Sequence, residues 1–295
     1  MNRSSFIFAL FFVIFLAIMN LYAQDKSRVV LLRTEEPVIN FKIWFNVGSK
    51  DDPKGKEGLA YLTAAMLNEG GTSKLTYSEI INKLYPLAAG YYASVSMENT
   101  VYNGAVHTDN LKEYLELFTQ QLLDPGFREE DFQRVKEEAV TYLSTSLRYS
   151  NDEELGKAVL YNEIYKGTPY GHVAAGTISS LNAITLQDVR DFYKKYFNRN
   201  NFILALGGGF SDNLVTDIWK SLTALPEGVE NPPKDVMPAA VEGLNVIIVE
   251  KKSNATAISM GYPIDLLRSN EEWYPLAVAN SWLGEHRNSS SHLYQ

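Results

Sequence analysis

Four histidines, at positions 107, 172, 286 and 292, are the residues best suited to metal or acid–base chemistry in this sequence. A helical zinc site needs two of them at i, i+4, and the nearest pair, His286 and His292, is six apart. His107 closes an apolar run ahead of a helix start, where hydrogen bonding in a turn is the expected use. His172 ends the loop-forming Thr168-Pro169-Tyr170-Gly171-His172. The densest polar stretch runs from Gly284 to His292, and within it Glu285, His286 and Arg287 are candidates for gripping a ligand, against the plainer reading of a solvated loop. Among the carboxylates, Glu137 and Glu138 stand in Asp131-Phe132-Gln133-Arg134-Val135-Lys136-Glu137-Glu138-Ala139, with Glu138 flanking an apolar stripe of Phe132, Val135, Ala139 and Tyr142. Two solvated helix carboxylates are the alternative there.

Other chemistries lack their signatures. There is no cysteine, so disulfides and thiol nucleophiles are excluded. Gly207-Gly208-Gly209 follows a strand and precedes a helix, but neither G-K-[ST] nor G-x-G-x-x-G is completed, and a tight turn is the expected role. The serines near the C-terminal histidines form no G-x-S-x-G.

These residues sit in a chain of 295, 45% hydrophobic and 21% charged, long enough to bury a substantial core. Arg3, the apolar run from Phe6 to Met19 and Leu21-Tyr22-Ala23 predict a signal peptide over 1–23, cleaved after Ala23. Asn20 ends that run short of a membrane span, so no transmembrane anchor is expected in the mature form, which is expected in the periplasm or secreted. With 27 basic and 35 acidic residues, and only Arg3 lost with the leader, the mature balance is 26 − 35 = −9. Such a charge argues against nucleic acid as a partner.

Periodicity predicts strands at Val29–Arg33, Phe41–Val47, Tyr91–Met97, Val101–His107 and Phe202–Leu206, with Glu98-Asn99 as a hairpin turn. Helices are expected at about 57–68, 76–84, 109–123, 129–146, 152–165, 186–196 and 212–223. Leu111, Leu115, Phe118 and Leu122 form the stripe of the third, and Thr185 with Asp188 forms a capping-box-like start to the sixth. Helices segregated from antiparallel strands make an α+β layered domain. A weak repeat suggests a second copy: Val29–Leu32 falls on Val246–Val249 at an offset of 217, Val38–Phe45 falls on 255–262, and Leu59-Ala60 falls on Leu276-Ala277. The expected organisation is a first domain over 27–224, a Pro-rich linker over 225–243, and the start of a second, truncated domain over 244–295, as in a piece of a longer gene.

The order of these segments resembles the pitrilysin, insulinase and mitochondrial-processing-peptidase family. The resemblance rests on the opening strand pair, Gly58-Leu59-Ala60, Met66-Leu67, Gly70-Gly71, Ser96-Met97-Glu98-Asn99-Thr100 and Ile184–Tyr193, and it covers nearly all of 27–295. It implies the family's layered helix-on-sheet fold. In that family the helix carries H-x-x-E-H, two zinc ligands and a water-activating glutamate. Here those five positions read Tyr61-Leu62-Thr63-Ala64-Ala65. A methyl group neither coordinates nor accepts a proton, and a phenol with pKa near 10 is a poor ligand. No catalytic residue, no metal site and no cofactor is therefore expected, zinc being the cofactor of catalytic members. The family's third ligand, a glutamate from a later helix, would survive as Glu137 or Glu138. His172 stands in a Pro-x-Gly-His-type loop that the resemblance makes structural or substrate-adjacent. Members without the motif resemble partner subunits, which implies a catalytic homologue as heterodimer partner and extended peptides as ligands. The competing expectations are an active zinc endopeptidase with substitute ligands, Glu138 with His286 or His292, and a purely structural envelope subunit.

Overall fold

A computed structural model of the chain describes residues 28–284, apart from 235, 239 and 255, together with residue 292. The expected signal peptide and the candidates Glu285, His286 and Arg287 lie outside the described residues. Among the described residues no helix is long and apolar enough to cross a membrane.

In chain order the elements are β1 (Val29–Arg33), β2 (Val38–Phe45), α1 (Leu59–Glu69), α2 (Tyr77–Leu84), β3 (Gly90–Val95), β4 (Thr100–His107), α3 (Leu111–Leu123), α4 (Glu129–Thr141), a π-helix (Tyr142–Ser150), α5 (Asp152–Ile164), α6 (Ile178–Ala183), α7 (Leu186–Tyr196), β5 (Phe202–Gly208), α8 (Asp212–Leu222) and α9 (Trp273–Leu283). The five strands form one sheet in the order β1-β5-β2-β4-β3. Strand β2 follows the period-2 rule closely: Ile39, Phe41, Ile43 and Phe45 are buried, while Val38, Asn40, Lys42 and Trp44 face outward. Its inward row meets the helices, which makes the α+β layering expected from the sequence.

Three expectations are corrected. The sheet is mixed rather than antiparallel, because β5 returns through the helices and inserts between β1 and β2; being antiparallel to β2, it runs parallel to β1. The helix from 129 does not run regularly to 146. It turns from α to π at Tyr142, and the wider i→i+5 turn carries Tyr142 off the buried stripe to 42% exposure, whereas Phe132, Val135 and Ala139 are buried as expected. The strands expected at 246–249 and 255–262 are absent: among the described residues, 244–270 contains no regular element, and Val246 and Ile248 are exposed. In the first copy β1 and β2 pair with β4 and β5, which follow them in sequence. Among the described residues no strand pairs with 246–249 or 255–262. Helix α9 does stand where the repeat puts one.

The Pro-rich segment from Leu225 is fastened to the sheet's end by side-chain amides rather than loose. Asn198 and Asn200 donate to the carbonyls of Val229 (3.1 Å) and Gly228 (2.6 Å), and Asn231 donates to Asn46 O at 2.7 Å. Lys234 reaches the fully buried carboxylate of Asp51 at 3.0 Å.

The densest part of the core is a ring cluster under β4. Tyr114 stacks on Phe118 at 5.5 Å, Phe118 meets Tyr102 at 5.0 Å, and Phe41 lies 5.7 Å from Tyr114. Gly104 makes room for it: a Cβ there would lie 1.9 Å from the Tyr114 hydroxyl, which donates to Gly90 O at 3.0 Å. We expect Gly104→Ala to destabilise the protein by about 1–3 kcal/mol through overpacking. Adding Tyr114→Phe, which removes the clashing atom, should return part of that loss in a thermal melt; no return would show that the clash is not with this hydroxyl.

Candidate functional site

Helix α1 lies between the sheet's β3 edge and helices α4 and α7. Its start is built from outside. Gly58 takes a left-handed φ of 99°, and a Cβ there would press to 2.6 Å from Ala175 O, so the close approach requires glycine. The cap comes from Asp52, whose two oxygens accept the N–H groups of Gly58 and Ala60, each at 2.7 Å. Burial pushes the Asp52 carboxyl up to about 7; Glu57 and Asp51 add to the rise, and the two N–H bonds oppose it.

Along α1, Tyr61, Ala65 and Glu69 follow one another at i, i+4 and i+8 and so share a face. Tyr61 and Ala65 are half-buried, and Ala64 is buried at 2% exposure. The buried Thr63 hydroxyl is committed to Leu59 O at 2.8 Å. The Tyr61 phenol is held above its ordinary pKa by burial and by the charges of Glu69 and Glu138. At the far end, the Arg134 guanidinium from α4 donates to Glu69 Oε2 (3.1 Å), Glu138 Oε1 (3.0 Å) and the Glu69 carbonyl (2.7 Å), with its carbon 5.5 Å from the Tyr77 ring centre.

Of the sequence-predicted residues, Tyr61 and Glu138 are brought to the same α1–α4 crossing, near enough for the Glu138 charge to act on the phenol. Glu137 and Glu138 are both exposed on α4. His172 is part-buried, its Nδ1 2.9 Å from Val173 O. Its loop reaches the β3–β4 hairpin through a short hydrogen bond from the Tyr170 hydroxyl to Glu98 Oε1, and burial followed by that bond raises the Tyr170 pKa. His107 Nδ1 accepts from Asp109 N at 3.3 Å, the expected turn role, and the His292 ring stacks on Trp282 at 5.2 Å. Sequence reasoning missed Arg134 and Asp52. The i, i+4 spacing of Arg134 and Glu138 was the one available signal; the reach from Arg134 to Glu69 crosses 65 residues.

Edge strand β3 borders this crossing. Ser96 N donates to Asn99 O (2.8 Å) and closes the hairpin, and antiparallel alternation from that pair turns the backbone groups of Tyr91, Ala93 and Val95 away from β4, toward the open edge.

Comparison with known proteins supports the fold and the family. The family model for insulinase (peptidase family M16) matches residues 28–177, and that for the peptidase M16 inactive domain matches 183–295. An uncharacterized zinc protease of Rickettsia bellii is 24% identical over 69% of this chain and 50% of its own length. The Helicobacter pylori protein named non-peptidase homolog YmxG is 28% identical over 62% of this chain and 42% of its own. The crystal structure of a peptidase M16 inactive domain from Pseudomonas fluorescens superposes with a TM-score of 0.75 at 22% identity, covering 90% of this chain and 64% of that one. The chain spans about half the length of the curated relatives it matches.

The zinc used by catalytic members does not fit the residues present. Tyr61 and Ala65 stand where the resemblance puts the paired imidazoles and Ala64 where it puts the acid; of the two carboxylates offered as a third ligand, Glu137 is exposed and Glu138 already accepts from Arg134. Among the described residues no three His, Asp or Glu side chains converge as metal ligands.

The Asp52 cap makes stability depend on pH. Unfolded, its carboxyl titrates near 3.8; folded, near 7, so between those values the folded state holds an extra proton. Its contribution is full below about pH 4 and is lost as pH rises through about 7. We expect the melting temperature of the parent protein minus that of Asp52→Asn to fall from pH 4 to pH 8. A difference that is flat or rises across that range would refute the assignment.

Proposed function

The chain belongs to the insulinase family, peptidase family M16, and from that premise we propose that it is a non-catalytic member that holds extended peptide for a catalytic homologue. The observation that carries the reading is the pairing of a helix α1 stripped of ligands with an intact open edge on β3 beside it. A strand edge presents main-chain donors and acceptors to any extended segment, independent of its sequence, so peptide capture outlives the loss of the metal. The Tyr170–Glu98 contact fixes the hairpin at the end of that edge, and the loop bearing His172 follows it, in keeping with a substrate-adjacent role. The leader expected over 1–23 supports action in the periplasm or outside the cell. The partner proposed is a homologue with an intact H-x-x-E-H, the two together enclosing the peptide in a clam-shaped chamber.

The test uses fluorescence anisotropy with labelled unfolded peptides and the longest available form of the chain. Ala93→Pro deletes one outward N–H while leaving the β3–β4 ladder in place. It should weaken peptide binding roughly five- to tenfold, the worth of about one hydrogen bond and the group it leaves unpaired, with little change in melting temperature. The protein alone should leave the peptides uncut. Chelator-sensitive cleavage by the purified protein would overturn the non-catalytic reading, and equal binding by Ala93→Pro would overturn the edge-strand one.

A further inference from the structure

The loss of the metal ligands leaves an electrostatic remainder at the α1–α4 crossing. Glu69 and Glu138 come from helices 69 residues apart in sequence and converge on a single nitrogen, Arg134 Nη1, at 3.1 and 3.0 Å. Without a cation between them two carboxylates at this separation repel, although Glu69 alone is part-buried while Glu138 is exposed and solvent screens part of that repulsion. Arg134 answers it with more than charge. Its Nη2 donates to the Glu69 carbonyl at 2.7 Å, one of the orphan acceptors at the C-terminus of α1, where a cation also meets the negative end of the helix dipole. The Tyr77 ring lies against the guanidinium at 5.5 Å, and Asp131 approaches to 3.6 Å while being shared with Arg128. A planar fork with five donors can bridge three acceptors on two helices, which an ammonium cannot do with the same geometry.

We propose that Arg134 is a built-in substitute for the metal: the internal cation that ties α1 to α4 across Glu69 and Glu138 and makes the crossing independent of any bound ion. The inference rests on the non-catalytic half of the functional reading and not on peptide holding. Its chemical consequence is that restoring ligands on α1 alone cannot restore a metal site. Histidines placed at 61 and 65 would stand at i, i+4 on the face that leads to Glu69, yet Glu138 Oε1 would remain engaged by a guanidinium that also repels a dication.

The experiment compares Tyr61→His/Ala65→His with the same pair carrying Arg134→Gln, titrating zinc alone against a chromophoric chelator. We expect zinc to bind at least about tenfold more tightly once Arg134 is gone, the order of magnitude of one close charge pair in a partly screened site. Equal zinc affinity in the two proteins would overturn the proposal. A thermal cycle in the parent background covers the case in which the histidine variants do not fold. Arg134→Gln should lower the melting temperature by about 3–6 °C, Arg134→Lys by less, and Arg134→Gln/Glu138→Gln should recover part of the loss because the facing charge is gone. Strictly additive losses in the double variant would equally refute a counter-ion role. The peptide-binding result is read separately, so either proposal can fail without the other.

Discussion

The structure turns on how helix α1 is held at both ends by residues that are not its own. Asp52 satisfies the Gly58 and Ala60 N–H groups at the start, and Arg134 and Arg128 take up the Glu69 and Gly70 carbonyls at the end, at 2.7 and 3.2 Å. Between those clamps Leu59, Ala60, Leu62, Ala64, Met66 and Leu67 are buried against the sheet and the neighbouring helices. At the C-terminus the guanidinium of Arg134 is a cation set against the negative end of the helix dipole, while at the N-terminus Asp52 acts as a hydrogen-bond acceptor whose ionisation is opposed by burial. Because α1 packs along β3, the position of the open sheet edge is inherited from these clamps.

That arrangement supports the proposed non-catalytic reading, because α1 is held at both ends by protein groups alone. A metal-binding helix must keep imidazoles and a carboxylate pointed into a cleft and desolvated, which costs stability unless the ion is present to offset it. Ala64 and Ala65 remove that demand, and Ala64 is almost wholly covered. The neighbouring Tyr61 stays neutral, its phenol raised by burial and by Glu69 and Glu138. What remains is a crossing closed by packing and by one guanidinium. The edge strand beside it depends on none of the lost groups, since its outward donors and acceptors belong to the backbone of Tyr91, Ala93 and Val95.

Features governed by local rules were legible in the sequence. The strand alternation of β2, the hairpin at Glu98-Asn99, and the box in which Thr185 and Asp188 exchange hydrogen bonds at the start of α7 all follow from spacing alone. Features set by distant partners were not legible. The insertion of β5 between β1 and β2 depends on where the chain returns after the helices, and short apolar strands do not encode their neighbours. The switch to π-helix at Tyr142 leaves no mark in the apolar stripe until the geometry is known. Asp52 and Arg134 read in sequence as ordinary surface charges, and only the fold puts one under a helix start and the other between two carboxylates.

The Pro-rich segment after α8 carries the same lesson further. Its composition is that of a flexible tether, yet Asn198, Asn200, Asn201 and Asn231 fasten it to the end of the sheet, and Lys234 ends on the buried Asp51. Asp51 belongs to the loop whose Ser49 and Lys50 N–H groups donate to Ser96 and Met97 carbonyls, both at 3.0 Å, where strand β3 runs into its hairpin. The hairpin's Glu98 is in turn bonded to Tyr170. A chain of short, directed contacts thus runs from the Pro-rich segment after α8, through the loop before α1, to the end of the edge strand. Stiff connections transmit position better than loose ones. The point at which the chain beyond Lys234 departs is therefore fixed relative to the edge on which peptide pairing is proposed, and the Asn-rich turn, rather than the prolines, is what fixes it.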